Sequence, residues 1–338
     1  MSIVKQSLNA VKTLVLGETL LPEEFTIGLA EPQTEISVWL HGLEAPVDVT
    51  HRHCTACSAP FTICVALDEV RWPTGKHLPS LTLKYCARDP QQRVLGEIGL
   101  TWKTTVCVAG AEMLLFEARG SANYCLPKRY LYSHNLMQAY SHWRSNDTFE
   151  IKMSLLEKRA AIVTFIRPHL VSLVSLADEA GGNIFPMNLM GELGSGRFGF
   201  GLRDSRLASH LVEGAGRIAV SSVPLTQAPV AYRLAANHRK ASIDWDQLPF
   251  ATRMSSTFKI PVPDFALRVR ELEVEKIHKI GSHTLFVARV VGDESFGPGP
   301  ALHVIHGFYQ ARRLQGRRAE LAASVAEDSL NKRGLGAL

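Results

Sequence analysis

What this sequence has little of narrows it first. No apolar run approaches the roughly 20 residues that a membrane-spanning helix needs, so no membrane span is expected. Cysteine is sparse: six residues scattered over 338 do not make a disulfide scaffold. Charge of neither sign dominates, with 37 Lys and Arg against 32 Asp and Glu and a formal net charge of +5. That excess is too mild for a nucleic-acid binder. The opening MSIVKQSLNAVKTLVLGETLLPEEF lacks the unbroken apolar core and small-residue cleavage site of a secretory signal. A cytoplasmic protein is expected.

The usual phosphate motifs are missing too. No GxxxxGK[ST] loop stands in the glycine-rich centre of the chain. GSGRFG, Gly194 to Gly199, matches GxGxxG by letter, but it leads into a strand pattern and opens no helix of a strand–helix–strand unit.

What is present is β-rich. TEISVWLHGL, FTICVALDEV, LPSLTLKYCA, VLGEIGLTW and TTVCVAGAEMLLFEA are short runs of Val, Ile, Thr and Leu, several of them set off by Gly, Pro, Asp and Asn. Strands are expected from about residue 20 to 120, after one short helix within residues 1–20. Residues 121–160 change texture. YLYSHNLMQAYSHW and FEIKMSLLEKRAAI fit helices or partly extended chain, joined by a turn at Arg144, Ser145, Asn146 and Asp147. A second β-rich block follows. LVSLVSLAD, RFGFGLRD and RIAVSSVP read as strands, and SRLASHLVEG reads as a short helix stopped by Gly214 and Gly216. DFALRVRELEVEKIHKI and HTLFVARVVGDES read as long strands across a turn at Gly281, and ALHVIHGFYQARRL as a last strand.

This gives a mainly β chain in three parts: an N-terminal β-rich domain over 1–150, a second domain over 151–315, and a charged tail or helix over 316–338. The texture is that of antiparallel barrels or sandwiches rather than strand–helix alternation. No tandem repeat is visible, yet two β domains of similar size leave a diverged duplication open.

The stretch from Asn183 to Leu211, NIFPMNLMGELGSGRFGFGLRDSRLASHL, holds the candidate site. Its glycines suit backbone brought close to something. Asn188 is placed to hydrogen-bond the edge of a flat heterocycle, with Met187 and Met190 against its face. Arg203, Asp204, Ser205, Arg206 and Ser209 gather at a helix entrance, with Asp204 or Ser205 as the N-cap. Unpaired amides, the helix dipole and an arginine fork all favour phosphate there. An ordinary glycine-rich loop with a plain cap and a solvated arginine fits the same letters.

RPHLVSLVSLADEAGGNIFPMNLMGEL, followed by RFGFGLRDSRLASHL, RIAVSSVP and, much later, IGSHTLFVARVV, resembles the flavin reductase-like family of FMN-binding split barrels. The resemblance covers about residues 160–315. It implies a six-stranded antiparallel Greek-key split barrel, usually a homodimer, with FMN at the barrel edge near the dimer interface. It implies flavin contacts from Asn183, Phe185, Met187, Asn188, Leu189, Met190, Leu202, Arg203, Ser205, Arg206 and Ser209. It places His283 near the flavin or nicotinamide as the catalytic residue. The implied chemistry is hydride transfer from NADH or NADPH to flavin, with a flavin or a protein as electron acceptor. Electron carriers and passive flavin binders share this architecture, and a structural protein with an emptied site stays open as well.

Other residues admit weaker readings. His51, His53, Cys54 and Cys57 suit a metal or a redox pair, but simple packing accounts for them as well. His278 flanks a turn, and His303 and His306 sit three apart, on different faces of a strand. Tyr232, Arg233, Asn237, His238, Arg239 and Lys240 form a basic connection that either meets a nicotinamide or faces water. Trp245 and Phe250 then serve as lid or anchor. Arg312, Arg313, Arg317 and Arg318 suit a solvated tail.

Overall fold

The computed structural model describes residues 24–30, 35–67, 80–144, 151–178 and 181–315. The helix read within residues 1–20, the turn at Ser145–Asp147 and the tail over 316–338 lie outside the described residues.

Strand formation follows the Val/Ile/Thr-rich runs. The first barrel contains β2 (Ile36–His41), β3 (Val47–Asp48), β4 (His53–Ser58), β5 (Phe61–Ala66), β6 (Leu81–Ala87), β7 (Val94–Val108) and β8 (Ala111–Asn123). They pair antiparallel in the order β3-β2-β6-β7-β8-β5-β4. The second barrel contains β10 (Ser172–Asp178), β11 (Gly181–Met187), β12 (Met190–Glu192), β13 (Arg197–Arg203), β14 (Arg217–Ser222), β17 (Arg268–Ile280) and β18 (His283–Ser295). Their order is β11-β10-β14-β17-β18-β13-β12, again antiparallel throughout. Numbered from its own first strand, each sheet runs 2-1-5-6-7-4-3. One Greek-key topology therefore occurs twice in this chain. The barrels are split because their two edge strands do not pair with each other. The seventh strand, beyond the six expected, is a short edge strand: in the second barrel the three residues of β12 pair onto β13.

The copies differ in their loops. Between the fifth and sixth strands the first barrel has the short link 88–93, whereas the second carries 223–267. That insert holds a short helix (Ala228–Arg233), a 3-10 segment (Leu234–Arg239) and the hairpin of β15 (Thr252–Met254) with β16 (Pro261–Pro263). Between the fourth and fifth strands the second barrel has the helix Leu207–Ala215. Its apolar residues recur at helical spacing, and it ends at Gly216 with φ 64°, a left-handed cap that glycine adopts without strain.

Each barrel fills itself with inward-facing side chains. In the second, Phe200 and Phe286 are fully buried and lie stacked with centroids 5.2 Å apart, each contributing about 1.5–3 kcal/mol by burial. Two further helices, α1 (Lys128–Arg144) and α2 (Leu155–Thr164), follow β8. Ser154 and Glu157 form a capping box at the start of α2. Ala160 and Val163 of α2, with Ile166, pack into the core of the first barrel. β1 (Glu24–Leu29), β19 (Ala301–His306) and β9 (His169–Leu170) make a third small sheet in the order β1-β19-β9. The expected last strand is therefore β19 only as far as His306. Gly307–Gln315 turns into a helix, and its Phe308 and Tyr309 also join the first core. Buried Glu35 accepts hydrogen bonds from Tyr309 (2.8 Å) and Arg313 (3.2 Å), fastening that helix to the first barrel.

The two barrels meet along a seam of small residues. β4 lies across β12, β13 and β18, and Cys54, Ala56, Cys64 and Ala66 share a core cluster with Leu193, Leu285 and Val287. The register sets Gly191 opposite Gly199, with Gly201 two residues on. A Cβ on Gly199 would stand 2.6 Å from the Cys54 sulfur, and one on Gly201 2.6 Å from the Ala56 carbonyl oxygen. At Gly191 it would collide with the His53 carbonyl. These glycines are thus required by the neighbouring barrel. Gly194 and Gly196 adopt φ 72° and 70° in the β12–β13 turn.

Candidate functional site

A cleft of about 430 Å3 opens at the rim of the second barrel. One wall is the segment Pro186–Leu189 leaving β11. The floor is Gly201, Leu202 and Arg203 at the end of β13. Arg206 enters from the start of the helix Leu207–Ala215, designated α3. Ala235, Ala236, His238 and Arg239 of the 3-10 segment close a further side, and His283 stands at the start of β18.

Three arginines make this cleft basic, and its geometry depends on a few fixed contacts. The N-cap of α3 is Arg206, later than Asp204 or Ser205, and no side chain caps the helix. The reason lies in Asp204. Its carboxylate accepts from the Thr284 hydroxyl at 2.6 Å, and its N–H donates to the Ser282 carbonyl at 3.2 Å. Asp204 thereby fastens the end of β13 to β18 and is unavailable to the helix. The Arg206 side chain makes no capping bond, and the Ser209 N–H turns back to the Arg206 carbonyl at 3.1 Å; the positive end of the helix dipole beside arginine favours an anion.

His283 is 1% exposed. Its Nδ1 lies 2.9 Å from the Ser282 hydroxyl and 3.5 Å from the Ser58 backbone N–H, which donates to it. The Cys57 sulfur is 3.6 Å from the same nitrogen. An Nδ1 that accepts leaves the imidazole proton on Nε2. Burial, reinforced by the Arg203 charge, pushes the His283 pKa down to about 4 against the pull of Asp204. It is a neutral hydrogen-bond donor at pH 7. Ser58 and Cys57 belong to the first barrel, and the Ala59 carbonyl accepts from Ser282 N–H at 3.0 Å. The β4–β5 turn of one barrel thus sets the ring orientation in the site of the other.

The insert is held by an amide exchange. The Asn183 Nδ2 donates to the carbonyls of Asn237 (3.0 Å) and Lys240 (2.8 Å), while Asn237 Nδ2 donates to the Ile184 carbonyl (2.9 Å). His238 Nε2 lies 2.8 Å from the Pro186 carbonyl, and its ring is 4.6 Å from that of Phe185. Burial, aided by the Arg203 charge, lowers the His238 pKa against the raising effect of that carbonyl.

Among the residues expected at a flavin, Met187, Asn188, Leu189, Leu202, Arg203, Arg206 and His283 line this one cleft. The others do not. Asn183 is fully buried and structural, and Phe185 is fully buried in the barrel interior. Met190 sits in β12 and lines a different cavity. Ser205 is exposed outside the cleft lining, and Ser209 is 2% exposed on the first turn of α3. His238 and Arg239, which the basic connection left open between site and solvent, line the cleft. Ala235 and Ala236 went unnoticed, because a small side chain beside a ligand carries no sequence signal. Trp245 packs as an anchor, its ring 2.9 Å from where a Gly182 Cβ would stand.

The Cys–His cluster is divided among other tasks. Cys54 pairs across the strands with Cys64, Cys57 donates to the Ile280 carbonyl at 2.9 Å, and the His53 ring bonds the Val49 carbonyl. Among the described residues, no three His, Cys, Asp or Glu side chains are placed to hold a metal. No described helix is long and apolar enough to cross a membrane.

The residues present suit FMN. The cleft, of about 430 Å3, is lined by Arg203, Arg206 and Arg239, by the start of α3 and by the segment Pro186–Leu189, a donor set that suits a phosphate and a flat heterocycle.

No known family profile matches this sequence, and no curated protein matches it significantly. Solved structures do. An FMN-binding protein from Thermus thermophilus, with bound 1-cyclohex-2-enone, is 27% identical over 38% of this chain and 71% of its own, with a TM-score of 0.34. An NADH:FAD oxidoreductase from Streptomyces globisporus is 14% identical over 48% of this chain and 95% of its own, at 0.40. The styrene monooxygenase flavin reductase from Pseudomonas putida is 22% identical over 44% and 93%, at 0.36. The solved structures that this chain is similar to are thus flavin reductases and FMN-binding proteins, each matched over less than half of it.

Proposed function

We propose that the second barrel binds one FMN in this cleft and that the protein is an NAD(P)H-dependent flavin oxidoreductase. The observation that carries the reading is the convergence of Arg203, Arg206 and Arg239 with the start of α3 in one cleft, beside a neutral His283 that is the register partner of Arg203. Arg203 and Arg206, with the first amides of α3, take the phosphate. Met187 and Leu189 would flank the ring system, and the backbone of Pro186–Leu189 would meet its polar edge. A bound flavin supplies the redox step, accepting hydride from reduced nicotinamide and passing the electrons on. His283 donates a hydrogen bond from Nε2 and positions the reacting rings. The protein needs no nucleophile of its own.

The first barrel takes the place that a second subunit has in a paired-barrel protein. Its β4–β5 turn orients His283. Where the second barrel has Arg203 and His283 at strand ends, the first has Ala66 and Ala111. We expect one flavin per chain.

The test is an anaerobic one. The protein is loaded with FMN, desalted, and mixed with NADH or NADPH while absorbance near 450 nm is followed. Retained flavin that bleaches supports the reductase. Retained flavin that stays oxidised makes the protein a carrier or passive binder. No retention removes the reading.

A further inference from the structure

A second cavity, of about 320 Å3, lies where the first barrel meets the opposite side of β12, and it shares no lining residue with the cleft. Its charged lining is lopsided: Arg167, Arg268 and Arg270 against one carboxylate, Glu192, with His51, His169 and His303 around them. Much of this charge is already matched. Glu192 is 2.8 Å from His51 and 4.0 Å from Arg270. Asp293 pairs with Arg268 at 2.5 Å and with Arg270 at 3.5 Å. Arg167 differs. Its Nε is enclosed and has no hydrogen-bond partner among the described residues. Ser172, 1% exposed in the same lining, has a hydroxyl in the same condition. So has Tyr85 of the first barrel, whose phenol lies within electrostatic reach of Arg167.

Three enclosed polar groups without partners, one of them a guanidinium, are costly to leave unmatched. A guanidinium fork beside a hydroxyl fits a carboxylate or phosphate oxygen pair. The remaining lining is apolar, from Pro168, Leu170, Met190 and Phe198. We infer that this interdomain cavity binds a small organic oxyanion, a carboxylate or phosphate group carried on an apolar body, with Arg167 as its principal ligand and the Ser172 hydroxyl as donor. His169 fits this arrangement. Its two ring nitrogens each lie 3.2 Å from a carbonyl, of Asn188 and of Thr164, and a neutral ring can donate to only one of them. Burial, and after it the Arg167 charge, disfavours a second proton on that ring; an anion beside Arg167 offsets the second of these. The inference stands on this cavity alone and does not require flavin in the cleft.

The test compares benzoate, phenyl phosphate and the neutral benzamide as probes of thermal unfolding, on the full-length protein and on R167M. The expected result is an unfolding midpoint that rises with the logarithm of benzoate or phenyl phosphate concentration, as binding to the folded state alone requires. Benzamide has no such effect. R167M, which keeps the volume and removes the unmatched charge, unfolds no earlier than the native protein without ligand and shows no response to the anions. The response of the native protein persists with FMN at saturation, since the two cavities are separate. A larger response to phenyl phosphate identifies phosphate esters, and a larger one to benzoate identifies carboxylates. No response to either anion, an equal response to benzamide, or an undiminished response in R167M overturns the inference and leaves the cavity to solvent.

Discussion

His283 and His53 are both buried and both neutral at pH 7, and their pKa values lie far below the ordinary 6.5. Burial, with Arg203, takes His283 to about 4, and burial, with Arg167, takes His53 to about 3. The unfolded chain binds protons at these histidines below pH 6.5, while the folded chain does not until near pH 4 and pH 3. The unfolded state therefore holds more protons in that window, and stability falls as pH falls. The slope is about 1.4 kcal/mol per pH unit per histidine. Buried His169, also near 4, and His238 add to the same loss; urea unfolding between pH 7 and pH 5 should show it, and His53→Gln should reduce its slope by about a third or less. A stability independent of pH over that range contradicts the assignment. The same neutrality makes His283 a donor rather than a general acid. His283→Ala should therefore leave FMN affinity within a few-fold of native but slow flavin reduction by about tenfold or more. Stopped-flow bleaching measures both. Asn183→Ala is the complementary case, because its amide nitrogen holds the insert while its amide oxygen accepts only from the Ile184 N–H at 2.8 Å, so that no bond reaches the cleft directly. About 1–3 kcal/mol of stability should be lost as the freed carbonyls go unpaired, and FMN should bind more weakly as His238 and Arg239 shift.

Many of the strands were legible along the chain because Val, Ile and Thr runs alternate with turn residues, β4 within HRHCTACS excepted, and the arginine-bearing entrance to α3 was legible from residue type alone. What was not legible is partner-dependent. The glycines of Gly191–Gly201 read as a shelf for a ligand, because the sequence marks close approach without saying to what. The structure assigns that approach to β4 of the other barrel. Ser205 and Asp204 were equally good caps on paper; a hydrogen bond to Thr284, 80 residues away, removed Asp204 from the choice. Gly201→Val tests the seam. A branched side chain facing the Ala56 carbonyl must separate the barrels or strain them. The expected cost is about 1–3 kcal/mol or more, with His283 released from Ser58 and its pKa raised. An NMR titration of the histidines alongside denaturant unfolding would detect both changes. Unchanged stability contradicts the close packing.

Two sheets of one strand order, joined in a single chain, differ in opposite ways. The first has a short fifth-to-sixth link and alanines at the strand ends, and its β4–β5 turn reaches its neighbour. The second carries the insert over 223–267 and with it one side of the cleft. The sequence shows no repeat because one topology can be set by alternation and turn position, which many residues satisfy, while the fifth-to-sixth loops differ in length. Under the proposed function this arrangement gives one site per chain, completed from within the chain.

That asymmetry is most directly tested by the stoichiometry of bound flavin. FMN titration by isothermal calorimetry, on native protein and on the double variant with Arg203→Ala and Arg206→Ala, should give one flavin per chain for the native protein. The variant should bind at least tenfold more weakly. Two flavins per chain, or binding unaffected by loss of both arginines, would contradict the account of a single site in the second barrel.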